Sequence, residues 1–259
     1  MTPAGSSTDA GTYRIEWHDG LAEIRLACGK ANALNPRSLG AIDEAFADAE
    51  RGGARGVVLA GYDRFFSAGL DLVTLYDLDH ARMDTFMREF DRVMLRVFTF
   101  PRPVVAAIGG HAVAGGCILA LACDARVMST GGARIGLNEI RLGVPFPAPA
   151  LEIVRYAVSP VFVEEVLYDG ELYGAPAAMV RGLVGDVTPD DTAALARAAC
   201  ARLAERPSGP FATIKAALKG PAVEQALARE DALRRAFVEA WFAPEARMLI
   251  GDARARLRA

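Results

Sequence analysis

Three short stretches of the sequence carry the residues that could do chemistry. Two are glycine turns, one at Gly69 and one at Gly115 and Gly116, and the third holds a single glutamate, Glu139, in an apolar segment. Glycine lets the backbone approach another group closely, and the free N–H groups at a helix N-terminus attract negative charge. A carboxylate in apolar surroundings can remove a proton and return it. The combination points to chemistry at a carbon beside a carbonyl, where backbone N–H groups would hold the developing oxyanion.

The glycine turns and the glutamate need secondary structure elements to position them. Residues 104–108 form a β-branched apolar run that is typical of a buried strand, and residues 117–123 are typical of an apolar helix. Residues 125–128 predict a second strand, and residues 56–60 predict another before the first glycine turn. Because strand, turn and helix repeat over residues 55–145, we expect an α/β layer with parallel strands.

A membrane span over residues 104–123 is the main competing interpretation of this region. The stretch contains no charged residue and is long enough to cross a bilayer of about 30 Å. However, glycines and His111 interrupt its middle, and no aromatic belt flanks it. Since strand, turn and helix explain each interruption, the sequence predicts no membrane segment here.

The other elements follow from the periodicity of apolar residues. Residues 13–26 alternate around a turn and predict a β-hairpin, and helices are predicted at residues 36–49 and 83–100. Beyond Gly143 the strand signals fade, apart from residues 184–187, and helices dominate. Amphipathic helices are predicted near the C-terminus at residues 193–204, 211–218, 222–241 and 244–257.

The composition argues against several classes of function. The 259 residues are 52% hydrophobic and 24% charged with a net charge of −3, which lacks the basic footprint of a nucleic-acid-binding protein. No signal sequence is recognisable, so a cytoplasmic location is expected. The four cysteines form no C-x-x-C pair and the three histidines lack metal-ligand spacing, so we expect free thiols and no metal. Neither glycine turn matches a dinucleotide-binding or P-loop motif.

These features together resemble the crotonase, or enoyl-CoA hydratase/isomerase, superfamily. The resemblance rests on four segments in order: residues 30–34 (KANAL), 66–72 (FSAGLDL), 114–117 (AGGC) and 135–140 (IGLNEI). It implies an α/β fold, a crotonase-like spiral of repeated ββα units with a C-terminal helical oligomerisation region. Because residues 1–11 are small and polar, we expect a frayed N-terminus there, followed by a core at residues 12–192 and a helical region at residues 193–259.

The resemblance also implies roles for single residues. The N–H groups of Leu70 and Gly115 would form an oxyanion hole for a thioester carbonyl, and Glu139 would be the catalytic base. Typical hydratases of the family carry a further glutamate directly after the Gly-Gly-Cys segment, a position that Ile118 occupies here. The residues implied to contact CoA or the acyl group are Lys30, Ala31, Ala33, Ala68, Gly69, Asp71, Leu72 and Gly116.

One glutamate suffices for a proton shuttle, and the last three of the four segments look most like the mitochondrial-type Δ3,Δ2-enoyl-CoA isomerase branch. The implied reaction converts a 3-enoyl-CoA to the trans-2-enoyl-CoA in fatty acid β-oxidation, with no cofactor besides the CoA of the substrate. The implied partner is acyl-CoA, and the C-terminal helices imply a homotrimer or a dimer of trimers. No nucleic acid or membrane partner is expected.

Other interpretations of the same residues remain open. The oxyanion hole could serve a hydratase, a thioester hydrolase or a decarboxylase, or it could persist in a non-catalytic acyl-CoA-binding protein. We expect structural roles for His111 and for Asp71, which lies near a helix start, and we expect Trp241 in the core. The C-terminal arginines are expected on a solvated face: Arg254, Arg256 and Arg258.

Overall fold

The structure, a computed structural model, describes residues 7–9, 11–62 and 64–258. Its strands are β1 (Ser7–Asp9), β2 (Tyr13–His18), β3 (Leu21–Leu26), β4 (Gly56–Ala60), β5 (Phe65–Ser67), β6 (Val104–Ile108), β7 (His111–Val113), β8 (Ala125–Ser129), β9 (Ile135–Gly136) and β10 (Asp186–Thr188). Its α-helices are α1 (Pro36–Arg51), α2 (Leu72–Leu75), α3 (His80–Thr99), α4 (Gly115–Ala122), α5 (Ala148–Ala157), α6 (Val163–Tyr168), α7 (Ala175–Val180), α8 (Thr192–Ala204), α9 (Ser208–Phe242) and α10 (Pro244–Arg258). Short 3₁₀ helices span Glu139–Leu142 and Pro160–Phe162.

The strands form two sheets. The larger sheet has the order β1-β2-β3-β4-β6-β8-β10, antiparallel as far as β3 and parallel beyond it. The smaller sheet has the order β5-β7-β9 and is parallel. Each turn of the chain adds one strand to each sheet and then a helix, as in β4-β5-α3, β6-β7-α4 and β8-β9-α5. The predicted spiral of repeated ββα units is therefore confirmed.

The central strands of the larger sheet are buried on both faces. In β4, Val57 and Leu59 join the main hydrophobic core, whereas Val58 and Ala60 join a second core against α8. Successive side chains of a strand point to opposite faces, so both sets must be apolar. This two-sided burial explains the uninterrupted apolar runs that predicted β4 and β6 from the sequence.

The C-terminal region differs from the prediction in the continuity of its helices. The helices predicted at residues 211–218 and 222–241 are one helix of 35 residues, α9, which continues through Pro221. An internal proline typically costs a helix about 3 kcal/mol, so its presence predicts a break when only local propensity is considered. Packing of α9 against α3 and α5 overrides that local preference. The predicted helices at residues 193–204 and 244–257 are confirmed as α8 and α10.

Two buried lysines fasten the first half of α9 to the core. Lys215 Nζ and Lys219 Nζ each lie 2.7 Å from a carboxylate oxygen of Asp124, which follows α4. Lys219 also donates to the carbonyl oxygen of Phe98 at 2.9 Å. Because removal of one partner would leave a buried charge unpaired, these contacts fix the position of α9 on the core.

The N-terminus also differs from the prediction that residues 1–11 are frayed. Ser7–Asp9 forms β1, antiparallel to β2. The outer edge of β2 would otherwise present unpaired backbone groups, and a short extra strand satisfies them. Residues 1–6 and 10 lie outside the described residues.

A buried carboxylate, Asp91, lies on α3 where that helix packs against α9. Only 1% of Asp91 is exposed, and within the described chain neither of its carboxylate oxygens has a hydrogen-bond partner. Burial, and then the carboxylate of Glu230, raise the pKa of Asp91 to about 8, although the Arg234 guanidinium lowers it. Asp91 is therefore protonated in the folded protein at neutral pH.

We expect the Asp91→Asn variant to be more stable than the wild type, by an amount that grows with pH. The ordinary pKa of this side chain is 3.8, so between that value and about 8 the folded state keeps a proton that the unfolded chain releases. The free energy of unfolding of the wild type therefore falls as the pH rises through this window. Thermal unfolding followed by circular dichroism at pH 5, 6.5 and 8 measures the difference. A Tm difference that does not change with pH would contradict the expectation.

Candidate active site

The two glycine turns lie in direct contact. Gly69 has a φ of +80°, and a Cβ at this position would lie 2.7 Å from the Val113 carbonyl oxygen and 3.0 Å from the Gly115 nitrogen. A Cβ on Gly116 would lie 2.3 Å from the Ser67 carbonyl oxygen. Since no side chain fits in either gap, glycine is required for this approach of the two backbones.

The first turn presents the N–H group of Leu70, because Leu34 fixes the backbone on either side of it. The Leu34 N–H donates to the Gly69 carbonyl at 2.7 Å, and the Asp71 N–H donates to the Leu34 carbonyl at 2.9 Å. Leu34 and Leu70 thus form a parallel bridge in which the Leu70 N–H points away from Leu34. Within the described residues this N–H has no acceptor.

The second turn presents the N–H group of Gly115, the first residue of α4. Ala114, before it, has a φ of +52°, which is strained for a residue with a Cβ, and its N–H donates to the Gly136 carbonyl at 2.9 Å. The first N–H groups of a helix have no partner inside the helix, and the described part of the chain supplies none to Gly115. Both turns therefore offer a free N–H to an anionic oxygen.

Glu139 begins the 3₁₀ helix that follows β9 and is only 7% exposed. Its Oε2 atom has no hydrogen-bond partner among the described residues. Burial raises the pKa of Glu139 to about 8, although the backbone N–H groups of Glu139 and Asn138 lower it. Burial, and then the Glu139 carboxylate, also raise the pKa of Cys117, which places Glu139 near α4. A carboxyl group with a pKa in this range can both accept and return a proton at neutral pH.

A cavity of about 300 Å³, the inner chamber, joins Glu139 to the glycine turns. Its walls are Ala68, Leu70, Leu72, Val113, Ala114, Asn138, Glu139, Leu142, Val144, Trp241, Ala253, Arg256 and Leu257. Among these described residues Glu139 is the one acidic side chain. An apolar cavity with a few polar groups is typical of a small-molecule site.

The C-terminal helices contribute residues to the chamber that the sequence did not predict there. These are Trp241, Ala253, Arg256 and Leu257. Trp241 is fully buried, as expected of a core residue, but it also forms chamber wall. Arg256 is exposed, as expected, yet it too lines the chamber. Amphipathic periodicity shows that one face of a helix is covered, but it carries no signal for which distant segment that face meets.

A second cavity of about 570 Å³, the outer cleft, adjoins the chamber and shares Ala68, Leu70, Leu72 and Leu257 with it. Six residues predicted to contact CoA or the acyl group line this cleft: Lys30, Ala31, Ala33, Ala68, Asp71 and Leu72. Two others, Gly69 and Gly116, lie at the contact between the turns and in neither cavity lining of the described chain. Lys30 and Arg37 give the cleft positive charge, which suits a phosphate-bearing ligand.

The chain matches a family model over most of its length. The family model described as "Enoyl-CoA hydratase/isomerase" matches residues 16–248, nearly the whole chain. The chain belongs to the enoyl-CoA hydratase/isomerase family.

Some relatives of this chain are named hydratases and others are named isomerases. A protein of Thermus thermophilus named putative enoyl-CoA hydratase is 37% identical over 164 residues, which cover 62% of this chain and 64% of that protein. Enoyl-CoA delta isomerase 1, mitochondrial, of Mus musculus is 36% identical over 139 residues, which cover 53% of this chain and 48% of that protein. The chain thus matches just under two thirds of the length of the first relative and about half of the second.

A solved structure of the same family supports the fold over a longer range. The crystal structure of human mitochondrial delta3-delta2-enoyl-CoA isomerase superimposes with a TM-score of 0.91 at 25% identity, and the match covers 95% of this chain and 98% of that one. The family fold and the predicted crotonase resemblance are therefore confirmed.

Asp71 and His111 make structural contacts in this family member, as expected. Asp71 caps α2 and accepts hydrogen bonds from the Thr74 backbone and hydroxyl and from Asn35 Nδ2. Burial alone would raise the pKa of Asp71, but these hydrogen bonds outweigh it and leave the pKa below its usual range. His111 Nδ1 accepts the Arg134 N–H at 3.1 Å.

Arg254 does not lie on a solvated face, contrary to the prediction. It pairs with Asp77 at 2.5 Å, and its guanidinium lies 4.5 Å from the centre of the Tyr76 ring. Arg247 covers the same ring at 3.5 Å and donates to the Tyr76 carbonyl at 3.0 Å. These contacts fasten α10 to the segment after α2, and they thereby hold the end of α10 against the chamber.

Two further structural findings concern the described part of the chain. None of the described helices is both long enough and apolar enough to cross a membrane. This finding applies to the apolar α4 as well. No group of three or more His, Cys, Asp or Glu side chains is placed to hold a metal ion among the same residues.

Proposed function

We propose that the protein isomerises a 3-enoyl-CoA to the trans-2-enoyl-CoA with Glu139 as its single proton-transferring residue. The observation that carries this proposal is the single acidic side chain in the described lining of the chamber, with its pKa raised to about 8. Ile118, at the position where hydratases of the family carry a second glutamate, is buried in α4 and offers no group that could activate water.

The proposed reaction uses the two N–H groups that have no acceptor in the described structure and the carboxyl group of Glu139. The thioester carbonyl accepts hydrogen bonds from the N–H groups of Leu70 and Gly115, which acidifies the protons on C2. Glu139 removes one of them, and the negative charge of the dienolate collects on the oxygen held by the two donors. The same carboxyl group then returns the proton to C4, which moves the double bond into conjugation. No metal or redox cofactor takes part, and CoA enters only as part of the substrate.

The outer cleft would hold the CoA portion, with Lys30 and Arg37 near its phosphates and residues 31–33 beside its nucleotide end. Support comes from the shared wall between the cleft and the chamber, which would let one extended ligand occupy both. A homotrimer or a dimer of trimers, a role in fatty acid β-oxidation and a cytoplasmic location accompany this proposal as further expectations.

Hydration of a 2-enoyl-CoA is the second candidate, because the relative in Thermus thermophilus is named a putative hydratase. Addition of water needs a group that positions and deprotonates it as well as a group that protonates the carbon. The described lining of the chamber supplies one carboxyl group for these two tasks.

A direct assay distinguishes the two reactions. The purified protein is incubated with trans-3-hexenoyl-CoA and, separately, with crotonyl-CoA, and products are followed by absorbance of the conjugated thioester and by chromatography. We expect trans-2-hexenoyl-CoA from the first substrate and negligible 3-hydroxybutyryl-CoA from the second. Rapid hydration of crotonyl-CoA without isomerisation would refute the isomerase proposal.

The pH dependence of the isomerisation should follow the ionisation of Glu139. A general base acts in its deprotonated form, and burial raises the pKa of this base to about 8. We therefore expect kcat/KM to rise about tenfold per pH unit below pH 8 and to level off above it. Steady-state rates between pH 6 and 9.5 measure the profile, and a rate that is flat over this range would show that Glu139 is already ionised at pH 6.

A further inference from the structure

Ser67 is a buried serine whose hydroxyl group joins two parts of the site, although the proposed reaction gives it no task. It ends β5, is fully buried, and lies outside the described linings of the inner chamber and the outer cleft. Its Oγ atom donates to the Asn32 carbonyl oxygen at 2.7 Å and accepts the Gly69 N–H at 3.3 Å. One side chain thus connects the first glycine turn to the segment before α1.

The contact with Gly69 helps to fix the direction of the Leu70 N–H group. This N–H belongs to the peptide unit that follows Gly69, and the unit is planar, so its direction depends on the two backbone dihedrals of that glycine. Glycine restricts these dihedrals less than any other residue does. The turn is therefore held from outside, by the Leu34 N–H on the Gly69 carbonyl at 2.7 Å and by Ser67 on the Gly69 N–H.

Asn32, the acceptor of the Ser67 hydroxyl, folds residues 28–32 into a closed loop, the cleft loop. Asn32 has a φ of +47° and is 1% exposed. Its Oδ1 atom accepts the Cys28 N–H at 2.8 Å, and its Nδ2 atom donates to the Phe66 carbonyl oxygen at 3.2 Å. The buried amide therefore closes the loop and also attaches it to β5, directly beside Ser67.

The cleft loop lies between the outer cleft and the first glycine turn. The residues of the loop that line the cleft are Cys28, Gly29, Lys30 and Ala31. On the other side of the loop, the Ala68 N–H donates to the Ala31 carbonyl at 3.0 Å, next to the contacts of Asn32 with β5. A ligand that presses on the loop from the cleft therefore acts on the backbone that carries the Leu70 N–H. Binding energy from a remote part of a ligand can orient groups at its reacting centre in this way.

We propose that Ser67 is a positioning residue, through which contact of the CoA portion of a ligand with the cleft loop strengthens the hydrogen bond from the Leu70 N–H to the thioester oxygen. Asn32 has the same role on the loop side of this connection. The inference rests on the placement of CoA and of the thioester oxygen under the proposed function, but not on the isomerisation itself.

Saturated thioesters test this connection separately from turnover, because they cannot be isomerised. Hexanoyl-CoA and hexanoyl-pantetheine, which lacks the nucleotide, are labelled with carbon-13 at the carbonyl, and the carbonyl band of each bound ligand is measured by difference infrared spectroscopy. A hydrogen bond to a carbonyl oxygen weakens its double bond and lowers the frequency of this band. In the wild type we expect a lower frequency for the CoA ligand than for the pantetheine ligand. The Ser67→Ala variant should give the same frequency for both.

Turnover provides a second readout of the same connection. We expect Ser67→Ala to lower kcat for trans-3-hexenoyl-CoA about tenfold, with a nearly unchanged Kd for hexanoyl-CoA, because the donor is misplaced while the binding surfaces remain. The kcat for trans-3-hexenoyl-pantetheine should change much less, since this substrate lacks the part that acts on the cleft loop. A merely structural role of Ser67 would lower both kcat values equally.

Ser129→Ala is the matched control for Ser67→Ala. The Ser129 hydroxyl also accepts the N–H of a glycine two residues further on, Gly131, at 3.1 Å, but it lies at the end of β8 and lines neither the described chamber nor the described cleft. We expect this variant to keep the difference in frequency and the wild-type kcat. Loss of the difference in Ser129→Ala would contradict a specific role for Ser67.

Asn32→Gly tests the connection from the loop side, and it does so even if Ser67→Ala fails to fold. Glycine accepts the left-handed backbone of this position but removes the amide that attaches the cleft loop to β5. We expect this variant also to lose the difference in frequency. Equal frequencies for the two ligands in the wild type would overturn the positioning role, whether or not the protein isomerises a 3-enoyl-CoA. A difference that the wild type shows and both variants lose, together with no turnover of any 3-enoyl-CoA, would support the positioning role and refute the isomerase.

Discussion

The Glu139→Gln variant is expected to isomerise trans-3-hexenoyl-CoA about 10³-fold more slowly than the wild type. General acid–base catalysis contributes typically 10²–10⁴-fold, and in the proposed mechanism one residue performs both the removal and the return of the proton. Glutamine has nearly the same shape but cannot accept a proton, so substrate binding should be retained. The measurement is kcat under saturating substrate, together with Kd for a saturated acyl-CoA.

Asp91→Asn is the matched control for this experiment. Asp91 is also a buried carboxyl group whose pKa is raised to about 8, but it lies between α3 and α9 and does not line the described walls of the chamber. We expect this variant to keep the wild-type rate. If Glu139→Gln kept more than a tenth of the wild-type kcat, another group would have to carry the proton.

The Gly69→Ala variant should lower kcat about 10²-fold by moving apart the N–H groups of Leu70 and Gly115, the proposed oxyanion donors. The added methyl group would lie 2.7 Å from the Val113 carbonyl oxygen and 3.0 Å from the Gly115 nitrogen, both backbone atoms, so one of the turns must shift. Loss of a single oxyanion donor typically costs about 10²–10³ in kcat. Steady-state kinetics and Tm are measured on the same preparation.

Gly53→Ala controls for the backbone strain that the substitution also introduces. Gly53 has a φ of +72°, close to the +80° of Gly69, but a Cβ there would meet no atom within 4 Å. We expect it to lose about 1 kcal/mol of stability from the left-handed conformation alone, with no change in kcat. Equal loss of activity in the two variants would mean that strain, and not displacement of the donors, is responsible.

Both substitutions act on a site that is assembled from segments far apart in the sequence. The chamber collects residues from α2, from the turn between β7 and α4, from the segment after β9 and from α9 and α10. In an α/β spiral the ends of parallel strands meet at one edge, so segments far apart in sequence become neighbours there. A substitution of the glycine in one turn therefore changes the position of the N–H group in the other turn.

Local sequence was sufficient for most of the secondary structure. The fully apolar β4 and β6, the amphipathic α1 and α3 and the glycine turns are set by nearest-neighbour patterns, and they occur where the patterns predict them. Helix α9 is the informative exception. Its proline predicts a break, and packing of the helix against α3 and α5, which are distant in the chain, holds it together across Pro221.

For the site, the sequence by itself determined the chemistry of the groups: two glycine turns that can expose N–H donors and one glutamate in apolar surroundings. The tertiary structure decided three other properties, namely the contact between the turns, the raised pKa of Glu139 and the presence of Trp241 and Arg256 at the chamber. The physical reason is that residue type and local spacing fix what a group can donate or accept. The burial of a group, its pKa and whether it lines the chamber depend on which distant segments pack around it. Only the folded chain brings those segments together.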